Sequence, residues 1–191
     1  WFFYRKPPLS LYNLDMDIDG AILCGVKNPD KIISRGLPTI TIDVISKIKG
    51  IPNVVGDSVM ITSMADDYCI SLGLKNFAYC GYSGIRWSDE RKSLSKSQME
   101  DSGFDVFVYD KPKPTSKSLW EAEQASLADW IDLLPKPVVI LACNDDRDKN
   151  IIEASIMAGK KIPDEVVVLD VANDKLVCEL TKPPMSSIAM N

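Results

Sequence analysis

The sequence predicts an α/β protein of parallel sheets flanked by helices, organised as two lobes of which the first is incomplete. Three observations carry that expectation. Strand candidates begin near residues 76, 105, 138 and 166, a spacing of about 30 residues that matches one βαβ unit. The strands are almost wholly apolar and alternate with segments of helical period, the pattern of a parallel sheet covered on both faces. The stretch Gly50–Gly56, with Pro52 inside it, interrupts this pattern; about three strands with weak helices precede it and four well-formed βα units follow. The expected division is a partial lobe over 1–56 and a fuller one from 57 to 185.

Taken in order, Trp1–Tyr4 reads as a strand whose upstream partner lies outside this sequence. It runs into Arg5-Lys6-Pro7-Pro8, the wrong order of charge and apolar run for a signal peptide. Gly20–Cys24 and Pro38–Val44 follow as strands, and Asn28–Arg35 between them has room only for a short helix. From Ser58, the residues Ile61, Met64, Ala65, Tyr68 and Leu72 recur at helical spacing, and Gly73 closes that helix. Asn76–Cys80 is the next strand. Ser88 reads as an N-cap with Asp89 and Glu90 in the first turn. The helix it starts, to about Asp101, has a thin apolar stripe of Leu94 and Met99. Asp105–Tyr109 alternates as a strand. Trp120, Leu127, Ile131 and Leu134 mark a helix stopped by Pro135 and Pro137. Val138–Cys143 is a wholly apolar strand, Asp146–Ala158 a helix closed by Gly159, and Val166–Leu169 a further strand.

Composition narrows the function. Of 191 residues, 46% are hydrophobic and 26% charged, enough apolar surface to offset the entropy of ordering. Apolar runs such as Val138–Cys143 are far too short to span a bilayer, so no membrane is expected as a partner. A net charge of −5 without a basic stripe cannot neutralise DNA phosphates. Any action on DNA therefore needs another domain. The five cysteines are scattered and odd in number, which reads as small buried thiols in a reducing compartment, the cytoplasm. Histidine is absent, which removes Ser–His–Asp triads, Cys–His dyads and most zinc sites. No catalytic residue, metal ion or cofactor is expected. Asp15, Asp17 and Asp19 lack the glycine and glutamate of a calcium loop and read as solvated carboxylates. Asp66-Asp67 reads as an exposed helix face, and the proline-broken Lys111–Lys117 run as a loop rather than a nucleic-acid patch.

In a parallel sheet, ligands bind outside the carboxyl ends of the strands. The segments following those ends are Gly81-Tyr82-Ser83-Gly84-Ile85-Arg86-Trp87-Ser88-Asp89-Glu90-Arg91, then Asn144-Asp145-Asp146, then Asp170-Val171-Ala172-Asn173-Asp174. These three stretches resemble the ligand loops of the lactose-repressor and ribose-binding-protein superfamily, whose fold is the two-lobed, type I periplasmic-binding-protein-like fold. The Arg86–Arg91 run in particular resembles the effector domain of xylose operon regulators. Phe77-Ala78-Tyr79-Cys80-Gly81, Gly159 with Ile162-Pro163-Asp164-Glu165-Val166, and Pro183-Pro184-Met185-Ser186-Ser187-Ile188 add to the likeness. It covers about residue 55 to 190 well and 1–54 loosely. The same resemblance implies that 186–191 is a strand returning to the first lobe. It also implies a helix-turn-helix DNA-binding domain of the arabinose-regulator type, absent from this chain, and operator DNA and a second subunit of a homodimer as partners.

A sugar needs planar charged or amide groups for paired hydrogen bonds and an aromatic face for its C–H side. By resemblance, Arg91 is the sugar-gripping arginine; read without it, Arg91 is a surface arginine paired with a carboxylate. Trp87 either stacks on a pyranose ring or fills a wall. Arg86 either contacts ligand or bonds loop carbonyls. Asn144 matches the superfamily's sugar-binding amide. Asp145 either caps the following helix or accepts a sugar hydroxyl, or both. The third loop departs from the pattern: Asp170 and Ala172 stand where relatives carry glycine and then an acidic or amide residue, which leaves Asn173, Asp174 or Asp170 to compensate.

The expected function is therefore the sugar-binding effector domain, for D-xylose or another pentose, of a bacterial transcription regulator, not an enzyme. The implied mechanism is a population shift, in which sugar between the lobes favours a closed arrangement. Two rivals share parts of this reading. A sugar-binding protein of an uptake transporter has the same fold, and an upstream signal peptide would favour it. An α/β enzyme lacks here a phosphate-binding glycine loop and a nucleophile–base pair.

Overall fold

The computed structural model describes residues 19–24, 29–42, 48–172 and 186–189. The chain divides into two compact units, Trp1–Gly56 and Asp57–Asn191. The expected strand at Trp1–Tyr4 lies outside the described residues, as do Asp15 and Asp17.

In the first unit, β1 (Ala21–Cys24), β2 (Thr39–Ile42) and β3 (Asn53–Val54) form a parallel sheet in that order, with α1 (Asp30–Ile33) between β1 and β2. Thr41 is buried and its hydroxyl donates to Asn53 Oδ1 at 3.0 Å. That bond helps to hold β3, a two-residue strand inside the stretch read as a boundary. With Gly50, Pro52 and Gly56 around it, β3 leaves no alternation to read.

The second unit holds α2 (Ser58–Ser71), β4 (Asn76–Tyr82), α3 (Arg86–Asp101), β5 (Val106–Lys111), α4 (Lys117–Leu133), β6 (Val138–Ala142), α5 (Asp145–Met157), β7 (Val166–Ala172) and β8 (Ser186–Ala189). Its sheet runs β5-β4-β6-β7-β8, every pairing parallel. Alternate residues of the strands feed two cores. Ala78, Cys80, Val138, Ile140, Val166 and Val168 pack with Leu127, Ile131, Ile151 and Ala154 of α4 and α5. Phe77, Tyr79, Val139, Leu141, Leu169 and Val171 pack with Ile61, Ala65, Cys69 and Met99 of α2 and α3. Burial on both faces is why these strands read as unbroken apolar runs, and each fully buried Val or Ile contributes about 1.5–3 kcal/mol.

Several local expectations are corrected. In α2, Ile61, Ala65 and Cys69 are the apolar residues that face the core, whereas Met64, Tyr68 and Leu72 are exposed. The buried face also carries Thr62 and Asp66, so Asp66-Asp67 is not an exposed pair. Asp66 is buried and accepts from Ser95 Oγ of α3 at 2.7 Å, while the exposed Asp67 accepts from Gln98 Nε2 at 3.3 Å. Ser88 is not an N-cap: α3 starts two residues earlier, after an extended Ile85. Its stripe looked thin because the face turned inward is Ser88, Arg91, Ser95 and Met99. Ser186–Ala189 pairs with β7 from Leu169↔Ser186 to Ala172↔Ala189 and satisfies the outer ladder of that strand. Cys69, Cys80 and Cys143 are buried free thiols, Cys24 is an exposed one, and Cys178 lies outside the described residues.

Burial pushes the Asp66 carboxyl up to about 6; the Ser95 hydrogen bond opposes this and the Asp67 charge adds to it. The unfolded chain then ionises first, so stability falls as pH rises from about 4 to about 6. Asp66→Asn, which keeps the Ser95 bond, is expected to raise neutral-pH stability by about 1–3 kcal/mol. It should also flatten that fall. Urea denaturation at pH 5 and pH 7.5 checks both.

Candidate functional site

Because every strand of the second sheet runs the same way, the ends of β4, β6 and β7 share one edge, and α3 and α5 begin there. The end of β4 is shaped by Gly81. A Cβ at that position would lie 2.6 Å from Ser88 Oγ and 2.6 Å from a Tyr79 ring carbon. The bare backbone lets Ser88 close in: Tyr82 N donates to Ser88 Oγ at 2.9 Å, and Tyr79 OH donates to Ser88 O at 2.8 Å. Gly84, at φ +75°, turns the chain, and its N–H donates to Asp89 Oδ2 at 3.0 Å.

This lock directs Arg91 across the edge. Its Nη1 donates to the Cys143 carbonyl at 2.6 Å, and its guanidinium lies 5.3 Å from the Trp87 ring centroid, one turn back. Arg91 is buried. Arg86 is instead held on its own helix, Nη1 reaching both Glu90 oxygens at 2.7 and 2.8 Å.

Asn144 adjoins the carbonyl that Arg91 holds. It is extended, and its Oδ1 accepts from Arg147 N at 3.2 Å, so Asn144 and not Asp145 is the N-cap of α5. Its Nδ2 has no partner among the described residues. The carboxyl of Asp145, the first residue of α5, lies near enough to that of Asp170 from β7 for the two to interact. Asp170 is wholly buried and also accepts from Val171 N. Asp148 is wholly buried too, and neither of its oxygens has a hydrogen-bond partner among the described residues. Burial, then the neighbouring Asp145 carboxyl and the charges of Asp145 and Asp148, hold Asp170 well above the usual carboxylate range, so it keeps its proton at neutral pH. Burial, then the charge of Asp145, pushes Asp148 up to about 7.

Arg91, Trp87, Asn144, Asp145 and Asp170 thus gather at one edge, while Asn173 and Asp174 lie outside the described residues. Ala172 ends β7 at φ +137°, a conformation that glycine adopts more readily. Sequence reasoning did not find Asp148 or the fully buried Arg147, because both sit in a run of charges that reads as a solvated face. A separate cleft of about 370 Å³ lies beside α5, lined by Tyr82, Lys113, Trp120, Asn150 and Glu153, and includes neither Arg91 nor Asn144.

A parallel sheet with helices on both faces and a polar edge at its strand ends defines an open α/β domain of the ligand-binding type. More particularly, residues 67–191 match the model of the periplasmic binding protein-like domain, and the chain belongs to that family. It is 26% identical over 140 residues to the xylose operon regulatory protein of Haemophilus influenzae, covering 72% of this chain and 36% of that protein. It is 28% identical over 120 residues to the protein of the same name from Escherichia coli K12, covering 61% of this chain and 30% of the relative. The chain thus spans about a third of the length of these relatives. Among solved structures, the xylose-binding transcription activator xylR superposes with a TM-score of 0.73 at 22% identity, over 91% of this chain and 48% of that one. A periplasmic binding protein/LacI transcriptional regulator from Alkaliphilus metalliredigens, complexed with D-xylulofuranose, superposes with a TM-score of 0.75 at 17% identity, over 91% and 63%. The expected fold and the resemblance to xylose operon regulators both hold.

Gly81→Ala is expected to push Ser88 off the end of β4 and to cost about 1–3 kcal/mol. Thermal melts should show the lower midpoint, and the Tyr82 amide should exchange faster with solvent.

Proposed function

We propose that this chain is part of the effector-binding region of a bacterial transcription regulator, with a neutral sugar, D-xylose or another pentose, as its ligand. The observation that carries this reading is the reach of Arg91 from α3 to the Cys143 carbonyl, beside Asn144. Two loops that resemble sugar-binding loops therefore meet at one strand edge. Arg91 and Asn144 supply donors to the sugar hydroxyls, Asp145 an acceptor, and Trp87 an apolar face. Asn173, in the third of the resembling stretches, is a further candidate for the sugar. Arg86, tied to Glu90, acts at the periphery. The Asp145 carboxyl offers an acceptor where a phosphate would bring a second negative group, so a sugar phosphate is excluded where the free sugar is accepted.

Residues 1–56 form part of a first lobe and 57–185 the second. Sugar acts by binding one arrangement of the protein better than another, since equal affinity for both would shift nothing. DNA is held by a helix-turn-helix domain in another part of the full-length protein, which works as a homodimer in the cytoplasm and carries no enzymatic activity. The names of the curated relatives support the regulator reading over a transport protein, and so do the buried free thiols, which suit a reducing compartment.

Calorimetry on the full-length protein with D-xylose, L-arabinose, D-ribose and a pentose 5-phosphate tests the reading. Heat is expected with a free pentose and not with the phosphate. Arg91→Ala or Asn144→Ala should weaken binding about tenfold or more. No heat with any free sugar sinks the proposal.

A further inference from the structure

Arg147 carries a full charge into the interior of the second unit. It is 0% exposed and sits in the first turn of α5, three residues after the Asn144 cap. Its Nη1 lies 2.7 Å from Glu123 of α4, a side chain 9% exposed. Its Nη2 donates to the Gly81 carbonyl at the end of β4, at 3.1 Å. The guanidinium also lies 4.5 Å from the ring centroid of Tyr82 and 5.2 Å from that of Tyr109 on β5. One planar group therefore ties four elements together. A buried ion pair is a poor source of stability, because desolvation opposes its attraction and an apolar pair of similar volume would pack as well or better. What such a pair supplies is direction, since the fork of an arginine fixes angles that an aliphatic side chain leaves open.

The direction matters because of what Gly81 and Tyr82 carry. Tyr82 N holds Ser88, and Ser88 sets the start of α3, from which Trp87 and Arg91 project. At the other end, the Arg147 backbone N–H is the one that Asn144 caps. We infer that Arg147 is a positioning residue for the candidate ligand site: by clamping Gly81 and Tyr82 to α5 and α4, it sets where Arg91 and Trp87 stand relative to Asn144. The inference rests on the proposed function for its ligand readout and is independent of it for its structural one.

The experiment compares full-length wild type, Arg147→Lys and the double variant Glu123→Gln/Arg147→Met by hydrogen-exchange mass spectrometry, melting and pentose calorimetry. The double variant removes both charges at similar volume, so no lone charge is left buried. The reporters are the amides of Tyr82, Ser83 and Gly84, which donate to Ser88, Lys111 and Asp89. In the double variant these amides should exchange about tenfold faster, while β6 and β7 keep their protection. Pentose affinity should fall about tenfold. Arg147→Lys, whose single ammonium cannot fork to both Glu123 and Gly81, should recover only part of each. A double variant that melts normally with wild-type exchange at these amides and wild-type affinity overturns the inference. If the double variant does not fold, Arg147→Lys decides by the same readings. If wild type binds no sugar, the exchange result alone decides, and it is the proposed function that falls.

Discussion

The candidate site depends on one close approach, that of Ser88 to the backbone of Gly81. A side chain at Gly81 would occupy the place of Ser88 Oγ. Without one, the hydroxyl accepts the Tyr82 amide, the start of α3 is drawn against the strand end, and Arg91 comes within reach of the Cys143 carbonyl. The arrangement is built from backbone groups and short side chains, which give position without bulk. Trp87 then lies beside Arg91 one helical turn away, so the same step that places the cation places its aromatic neighbour.

Charge at this edge is arranged with little cation to spare. Asp145, Asp146 and Asp148 fall in the first turn of α5, where the exposed amides of a helix start favour negative charge. Two of the carboxyls near it, Asp148 and Asp170, are nevertheless removed from water. The physical settlement is neutralisation: burial and its acidic neighbours hold Asp170 well above the usual carboxylate range, so it keeps its proton.

Much of this was legible in the sequence, and the misses share a cause. The buried runs of β4, β6 and β7 announced themselves because parallel strands covered on both faces have no polar side. Their ends were drawn short at Cys80 and Leu169, since Gly81 and Asp170 resemble loop residues, yet the ladder passes through both. Periodicity treats charged residues as outward-facing, which hid Asp66, Arg147 and Asp148, each buried by a tertiary partner or neighbour that sequence spacing does not reveal. It also groups Met64, Tyr68 and Leu72 of the α2 region with Ile61 and Ala65 by spacing, although only the last two are buried. Arg91, Trp87 and Asn144 are singled out by resemblance, and the fold brings them to one edge. The cap of α5 fell to Asn144 because its extended backbone aims Oδ1 at the Arg147 amide.

The inward face of α3 has a mechanical side. The helices on the opposite layer grip the sheet through Leu127, Ile131, Ile151 and Ala154, contacts that lose dispersion and gain water as soon as they part. The face of α3 meets its neighbours through Ser88, Arg91, Ser95 and Met99, mostly by hydrogen bonds that can be exchanged for others at small net cost. This helix is accordingly seated by directional bonds rather than by an oily seam, and it is the helix that bears Trp87 and Arg91.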